Sequence, residues 1–310
     1  MNGPTGICPA VVGPTAVGKT GLVLALARDY PLEVISLDSR QVYQGLRIGT
    51  AQPTELELET CPHHLVDFLS PSQRYSARRF RDDFMRIHAE IRARGGVPLL
   101  TGGTGMYLQV LQEGLLPIPE DGPDLEAVRS ELDPLTIDEI RTRLADGDPD
   151  SHERIPAGDR YRSQRALEIL QLTGRSMTEH LAAHVPDPAA GLQFPTILLT
   201  RDRDDLRDRI ARRTAAMLKA GWIEETSRNL ELHGPDAPGM ATLGYRELVR
   251  HLAGESRLDE ARDEIVLRTT QFAKRQRTWF RPRPRVAEGV PDDPAVAEAL
   301  RRLLDTAAPA

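Results

Sequence analysis

The segment Gly13-Pro14-Thr15-Ala16-Val17-Gly18-Lys19-Thr20 constrains this chain most, because it fits G-x-x-x-x-G-K-[ST] in full. It follows a β-type run at residues 7–12 and opens a helical pattern at 18–30, where Leu22, Ala25 and Leu26 share a side. The glycines let backbone N–H groups turn inward, and the helix N-terminus adds positive potential. Lys19 at its position neutralises phosphate charge, and the hydroxyl of Thr20 reaches Mg²⁺. Lysine is scarce: Lys19, Lys219 and Lys274 are the only three among 40 basic residues. Where arginine serves for solubility almost everywhere, a lysine at this motif position points to chemistry. Residues 13–20 are therefore read as a phosphate cradle.

Further β-type runs at 33–37, 97–101 and 196–200, with a helical pattern at 77–94 carrying Phe80, Phe84 and Ile87, give alternating strand and helix. This predicts an α/β fold, a P-loop NTPase-like parallel sheet flanked by helices, with the C-terminal strand ends lined up along the edge where ligands bind. The alternation lapses after Pro117-Ile118-Pro119-Glu120-Asp121-Gly122-Pro123, where helical stretches near 125–144 and 160–173 read as a helical insertion. The expected organisation is a first part of the core at 1–116, the insertion at 117–192, a second, mostly helical part of the core at 193–285, and a tail at 286–310 with room for one helix at 293–305.

The charge balance is 40 basic against 46 acidic residues, net −6, which excludes a globally basic nucleic-acid binder while leaving room for a local basic surface. No apolar run approaches the length a bilayer demands, and Met1-Asn2-Gly3-Pro4-Thr5 lacks the basic-then-apolar profile of a signal peptide. Two cysteines, Cys8 and Cys61, are too few for a disulfide framework. The expectation is a reduced, cytoplasmic protein without a membrane partner.

Other candidate residues fall on the same sheet edge. The run at 33–37 ends in Asp38-Ser39-Arg40-Gln41; Asp38 there can hold metal, act as a general base, or merely cap a turn. The run at 97–101 ends in Gly102-Gly103-Thr104-Gly105 before a helix at 106–112, bringing backbone and the Thr104 hydroxyl close to a bound ligand. In the helical pattern from Asp204 to Ala220, Leu206, Ile210 and Met217 form an apolar stripe whose gap falls on Arg213. That arginine either reaches a phosphate bound by Lys19 or pairs with nearby aspartates. Residues 268–285 hold Arg268, Lys274, Arg275, Arg277, Arg281, Arg283 and Arg285 with no acidic residue, interleaved with Phe272, Trp279 and Phe280. Such a segment suits a nucleic-acid backbone with aromatics for stacking, or a solvated charged face. A second basic cluster is Arg160-Tyr161-Arg162 with Arg165. His63-His64 is a poor metal pair, since adjacent side chains point apart.

Taken together, these residues resemble the bacterial tRNA isopentenyltransferase (tRNA dimethylallyltransferase) family from about Ala10 to Arg281. The carrying segments are GPTAVGKT at 13–20, DSRQVYQGLRIGTAQP at 38–53, HHLVDFLSPSQRYSARRF at 63–80, PLLTGGTGMYLQVLQEGL at 98–115, RALEI at 165–169, GYRE at 244–247 and QFAKRQRTWFR at 271–281. The resemblance implies transfer of the dimethylallyl group of dimethylallyl diphosphate to N6 of adenine 37, beside the anticodon of tRNAs reading U-starting codons. It implies that the cradle at Gly13–Thr20 holds a diphosphate where an NTPase holds ATP, with Asp38 as general base and Thr104 and Arg213 around the diphosphate. Mg²⁺ is the implied cofactor, approached through Thr20. The tRNA anticodon stem-loop is the implied macromolecular partner of a monomer, contacted by Asp38, Ser39, Arg40 and Gln41, by Tyr161, Arg162, Ser163, Gln164 and Arg165, by Gly244, Tyr245 and Arg246, and by Lys274, Arg275, Gln276, Arg277 and Arg281. Thr270 and Ala241 stand where the family pattern carries basic residues. A P-loop kinase, which needs ATP, and an RNA-binding module without catalysis are the alternatives these residues leave open.

Overall fold

The computed structural model describes residues 6–308, so the N-terminal stretch 1–5 read above lies outside the described residues. In chain order the strands are β1 (Gly6–Ile7), β2 (Ala10–Val12), β3 (Leu32–Leu37), β4 (His63–His64), β5 (Val97–Gly102), β6 (Leu192–Gln193), β7 (Thr196–Leu199) and β8 (Ala287–Gly289). The helices are α1 (Lys19–Leu26), α2 (Glu55–Thr60), α3 (Ala77–Ala93), α4 (Gly105–Glu113), α5 (Pro123–Leu132), α6 (Ile137–Gly147), α7 (Pro149–Arg154), α8 (Arg160–Thr173) and α9 (Met177–Ala182). They continue with α10 (Arg203–Lys219), α11 (Trp222–His233), α12 (Tyr245–Leu252), α13 (Leu258–Phe280) and α14 (Pro294–Ala307).

Six parallel strands form the main sheet in the order β4-β3-β5-β2-β7-β8, the α/β architecture expected from strand–helix alternation. Neighbouring strand residues take opposite faces. Val12, Ile35, Leu100 and Leu198 join Phe80, Phe84, Ile87 and Ile91 of α3 in one apolar cluster. Val11, Val34, Leu99 and Ile197 join Leu22, Val23 and Leu26 of α1 and Val296, Leu300 and Leu304 of α14 in the other. Both faces are thus sealed, and only the strand ends remain for a ligand.

Proline explains where the elements differ from the periodicity. The run at 7–12 is two strands: β1 pairs with β6 and β2 with β7, with Pro9 and Pro195 at the crossings, where a missing N–H breaks the ladder. Helix α1 ends at Leu26, short of residue 30, and Tyr30 precedes Pro31, a position disfavoured for helix. The expected tail is part of the core. β8 pairs with β7 as the sixth strand, and α14 buries Val296, Ala299, Leu300 and Leu304.

The second unit spans Glu113–Asp187 and contains α5 to α9, beginning and ending slightly earlier than the expected 117–192. Its stretch 125–144 is two helices. α5 stops at Leu132 before Pro134, and α6 restarts behind Thr136, whose side chain and Glu139 form a capping box. Small apolar clusters hold the unit together, Leu132, Ile140 and Leu167 in one and Leu144, Ile155 and Ala166 in another.

Candidate active site

The phosphate cradle bridges β2 and α1, as its sequence requires. A Cβ on Gly13 would stand 2.5 Å from the Leu199 carbonyl oxygen, and φ is +154° there, so only glycine lets the loop leave the sheet at this point. Val17 is buried and anchors the loop in the apolar cluster of α1 and α14. Lys19 Nζ donates to the carbonyls of Gly13 and Pro14, each at 3.0 Å. Burial lowers the Lys19 pKa to about 8, although the Asp38 charge pulls it upward; Arg213 lowers it further.

The outer side of the loop is held by arginines. Arg213 Nη2 donates to Thr15 Oγ1 at 2.6 Å, Arg209 Nε to the Ala16 carbonyl at 2.8 Å, and Arg201 Nε to the Val17 carbonyl at 2.8 Å. Desolvation lowers the Arg213 pKa while Asp38 raises it, so Arg213 and Lys19 both feel the same carboxylate. The buried row of α10 is Leu206, Ile210 and Thr214, which resolves the gap in its stripe: Thr214 fills it, and Arg213, half-buried on the flank, faces the cleft. Gln276 of α13 is buried and ties two loops together, accepting from the Thr15 N–H at 2.9 Å and donating to the Gly103 carbonyl at 3.0 Å.

Asp38 sits at the end of β3. Its Oδ1 accepts from the Arg40 and Gln41 backbone N–H groups at 2.8 and 3.3 Å, and Oδ2 has no partner among the described residues. The turn-capping role and the chemical role are therefore both available to one carboxylate, a different oxygen serving each. The Thr104 hydroxyl accepts from the Ser39 N–H at 3.1 Å; Thr104 braces the Asp38 turn and is not among the residues lining the cleft. Gln41 Nε2 donates to the carbonyls of Thr50 and Ala51 at 3.3 and 2.8 Å, and Gln52 Nε2 to those of Gln41 and Tyr43 at 2.9 and 2.8 Å.

These elements enclose a cleft of about 990 Å³. Thr15, Lys19, Thr20, Asp38 and Arg213 line it, together with Arg201, Arg209 and Arg212, three cations the sequence analysis did not single out. The available signal was helical spacing: Arg209, Arg212 and Arg213 lie three and four residues apart on α10, one face of a helix. No cluster of three or more His, Cys, Asp or Glu side chains able to cage a metal occurs among the described residues. His63 and His64 diverge, His63 Nδ1 meeting the Cys61 carbonyl at 2.7 Å and His64 Nε2 meeting Glu33 at 2.7 Å.

The expected RNA-contacting residues divide by exposure. Lys274, Arg275, Arg277 and Arg281 are exposed with no carboxylate in salt-bridge range among the described residues, and Arg275 stacks its guanidinium 5.8 Å from the Phe272 ring centre. Arg268 instead pairs with Glu264 and Glu247, Arg285 with Glu288, and Arg283 lies over the Trp279 ring. Arg246 is exposed beside Glu247 at 3.4 Å. Gln276 and Tyr245 are buried, so their side chains support the fold and do not face a partner; close packing of Trp222 does the same for Gly244. Within the helical unit Ser163 is fully buried, Arg165 pairs with buried Glu168 at 2.9 Å, and Gln164 reaches Asp133 at 2.7 Å. Arg162 is exposed beside Asp159 at 2.5 Å, and Tyr161 is 79% exposed. A motif residue is thus often a brace.

Fold and cleft together define a P-loop-like α/β protein in which a cationic loop and a carboxylate line one cleft. A family model described as IPP transferase matches residues 41–283, and one described as isopentenyl transferase matches residues 7–67. A tRNA dimethylallyltransferase of Burkholderia lata is 42% identical over 317 residues, covering 99% of this chain and 97% of the relative. That of Bordetella avium is 42% identical over 316 residues, with 99% and 98% covered. The crystal structure of the full-length tRNA isopentenylpyrophosphate transferase of Bacillus halodurans aligns with a TM-score of 0.69 at 33% identity, covering 97% of both chains. A eukaryotic dimethylallyltransferase captured acting on tRNA aligns with a TM-score of 0.74 at 27% identity, covering 89% of this chain and 70% of that one. The chain belongs to the IPP transferase family. No helix of the described residues is long and apolar enough to cross a membrane.

Proposed function

We propose that this protein transfers the dimethylallyl group from dimethylallyl diphosphate to N6 of adenine 37 in tRNAs reading codons that begin with U. The observation that carries the reading is the pairing, in one cleft, of an unpartnered Asp38 Oδ2 with the cationic cradle of Lys19 and Arg213. In the reaction the allylic C–O bond breaks and its electron pair leaves on the diphosphate. Adenine N6 bonds to the freed carbon and loses a proton, which Asp38 accepts. An exocyclic adenine amine is a weak nucleophile, so stabilising the departing diphosphate is the main electrostatic task. Lys19, Arg213 and the backbone N–H groups of the loop perform it, while Thr104 holds the Asp38 turn through the Ser39 N–H.

Mg²⁺ fits as a companion of the diphosphate. Thr20 lines the cleft, its hydroxyl without a hydrogen-bond partner among the described residues, and would be the protein's ligand to the ion, with the diphosphate and water supplying the other oxygens where no protein cage occurs among the described residues. When bound, the ion adds charge neutralisation on the leaving group. On the tRNA side, an adenine in an anticodon loop is splayed out at low cost, and Lys274, Arg275, Arg277, Arg281, Arg246, Tyr161 and Arg162 supply exposed contacts for the anticodon stem-loop. We read the enzyme as a monomer working in the cytoplasm, where tRNA is. Mass spectrometry of a tRNA digest after incubation with dimethylallyl diphosphate tests the assignment. Adenosine carrying one added dimethylallyl group is expected, and unmodified adenosine at position 37 overturns it.

A further inference from the structure

Helix α11 buries a carboxylate at a place with no obvious need for one. Glu225 is 5% exposed, and no cation lies in salt-bridge range of it among the described residues. It is filled with donors instead. The backbone N–H groups of three consecutive residues point to it: Arg47 at 3.0 Å, Ile48 at 2.9 and 3.1 Å to its two oxygens, and Gly49 at 3.3 Å. The Tyr245 hydroxyl donates at 2.5 Å and itself accepts from the Gly49 N–H at 3.0 Å. One turn further along α11, Asn229 Nδ2 donates to the Gly45 carbonyl at 2.9 Å. A Cβ on Gly49 would lie 2.1 Å from Trp222 Nε1, so helix and loop meet with no space between them.

The loop held this way is the far wall of the cleft. Thr50, Ala51 and Gln52 line it, and the carbonyls of Thr50 and Ala51 receive Gln41 Nε2. Gln41 closes the relay at both ends, its Oε1 accepting from Ser36 Oγ at 3.1 Å and its backbone N–H donating to Asp38 Oδ1. Charge-assisted bonds to backbone N–H groups are short and directional, which suits a carboxylate to fixing a loop. An apolar residue at position 225 would leave the part-buried N–H groups of Arg47 and Ile48 without their acceptor, the Gly49 N–H keeping only the Tyr245 hydroxyl.

We infer that Glu225 is a positioning residue: acting through residues 47–51 and Gln41, it holds the Asp38 carboxylate in register with the adenine, while the diphosphate cradle is set independently by Lys19 and the arginines. The inference rests on the reading of Asp38 as the base. It separates two effects that a general structural role would mix, because among the described residues no hydrogen bond joins Glu225, residues 47–51 or Gln41 to residues 13–20, and only the charge of Asp38 is felt on both sides.

Glu225→Gln keeps the shape but turns an amide NH₂ toward the loop N–H groups. With tRNA as acceptor, at a temperature well below the unfolding midpoint, its kcat is expected to fall about 10²-fold while the KM for dimethylallyl diphosphate stays within about twofold. Hydrogen exchange at residues 47–49 is expected to quicken about tenfold or more, a readout that needs no activity. Should Glu225→Gln not fold, Tyr245→Phe decides: it removes one donor, keeps the ring, and is expected to lower kcat about tenfold with the same unchanged donor KM. An unchanged kcat despite faster exchange overturns the inference, as does a donor KM that rises in step with the loss of kcat. Wild-type protein that leaves tRNA unmodified defeats the functional reading instead, and the exchange result then still reports whether Glu225 anchors the loop.

Discussion

The cations of the cleft and those of the outer face of α13 are the same residue types in opposite states. Lys19, Arg201, Arg209 and Arg213 are withdrawn from bulk solvent and bonded to the loop at residues 13–17, with Arg201 also reaching Asp205 at 3.0 Å. Lys274, Arg275, Arg277 and Arg281 stand in solvent without a carboxylate in salt-bridge range among the described residues. Charge fixed in a poorly solvated cleft acts strongly on one developing anion, because little reorganisation is needed when the charge appears. Exposed charge acts weakly per residue, is screened by salt, and suits a long polyanion met at many points. The difference teaches that local context, and not the count of basic residues, decides whether a cation is fixed in a cleft or left in solvent.

The sharpest break in the comparison is expected from the Asp38 carboxylate. Asp38→Ala should cost about 10²–10⁴-fold in kcat, with donor binding nearly unchanged; single-turnover kinetics and donor titration separate the two. Lys19→Ala should weaken stabilisation of the leaving group and cost about 10²–10³-fold in kcat/KM for the donor, and wild-type values would return Lys19 to the class of solvated charges. A pH series sharpens the contrast further. With Lys19 at about 8, its ammonium form is complete below that pH and lost above it, and a bound diphosphate favours the ammonium. Donor affinity measured by calorimetry should therefore hold steady below pH 8 and fall by up to about tenfold per unit above it, with proton uptake on binding. The smallest effect is expected on the outer face. Arg275→Ala should weaken tRNA binding a few-fold, by about 1 kcal/mol or less, and reduce the slope of log K against log salt by about 0.7–0.9. An unchanged slope would remove Arg275 from phosphate contact.

Legibility in the sequence followed the range of the interactions. The cradle was readable because a left-handed glycine, a lysine and a following helix act within eight residues. Asp38 was readable from its place after a strand. Arg209 and Arg201 are not legible in the sequence, since their partners, the carbonyls of Ala16 and Val17, lie far away in the chain, and Arg212 shares the cleft only through the packing of α10. The family resemblance implies tRNA contact at Gln276 and Tyr245, yet each side chain is buried and binds loops far away in sequence. The 286–310 segment read as a tail because a three-residue strand such as β8 carries too little periodicity to announce itself.

By itself, then, the order of residues determined the α/β class, the phosphate loop and the carboxylate beside it, all consequences of torsional preference and short-range alternation. Which arginines turn inward, which motif side chains become braces, and how α11 grips the loop at residues 45–49 were decided only when distant segments packed. Such contacts arise from burial and hydrogen-bond satisfaction between surfaces that no local period encodes.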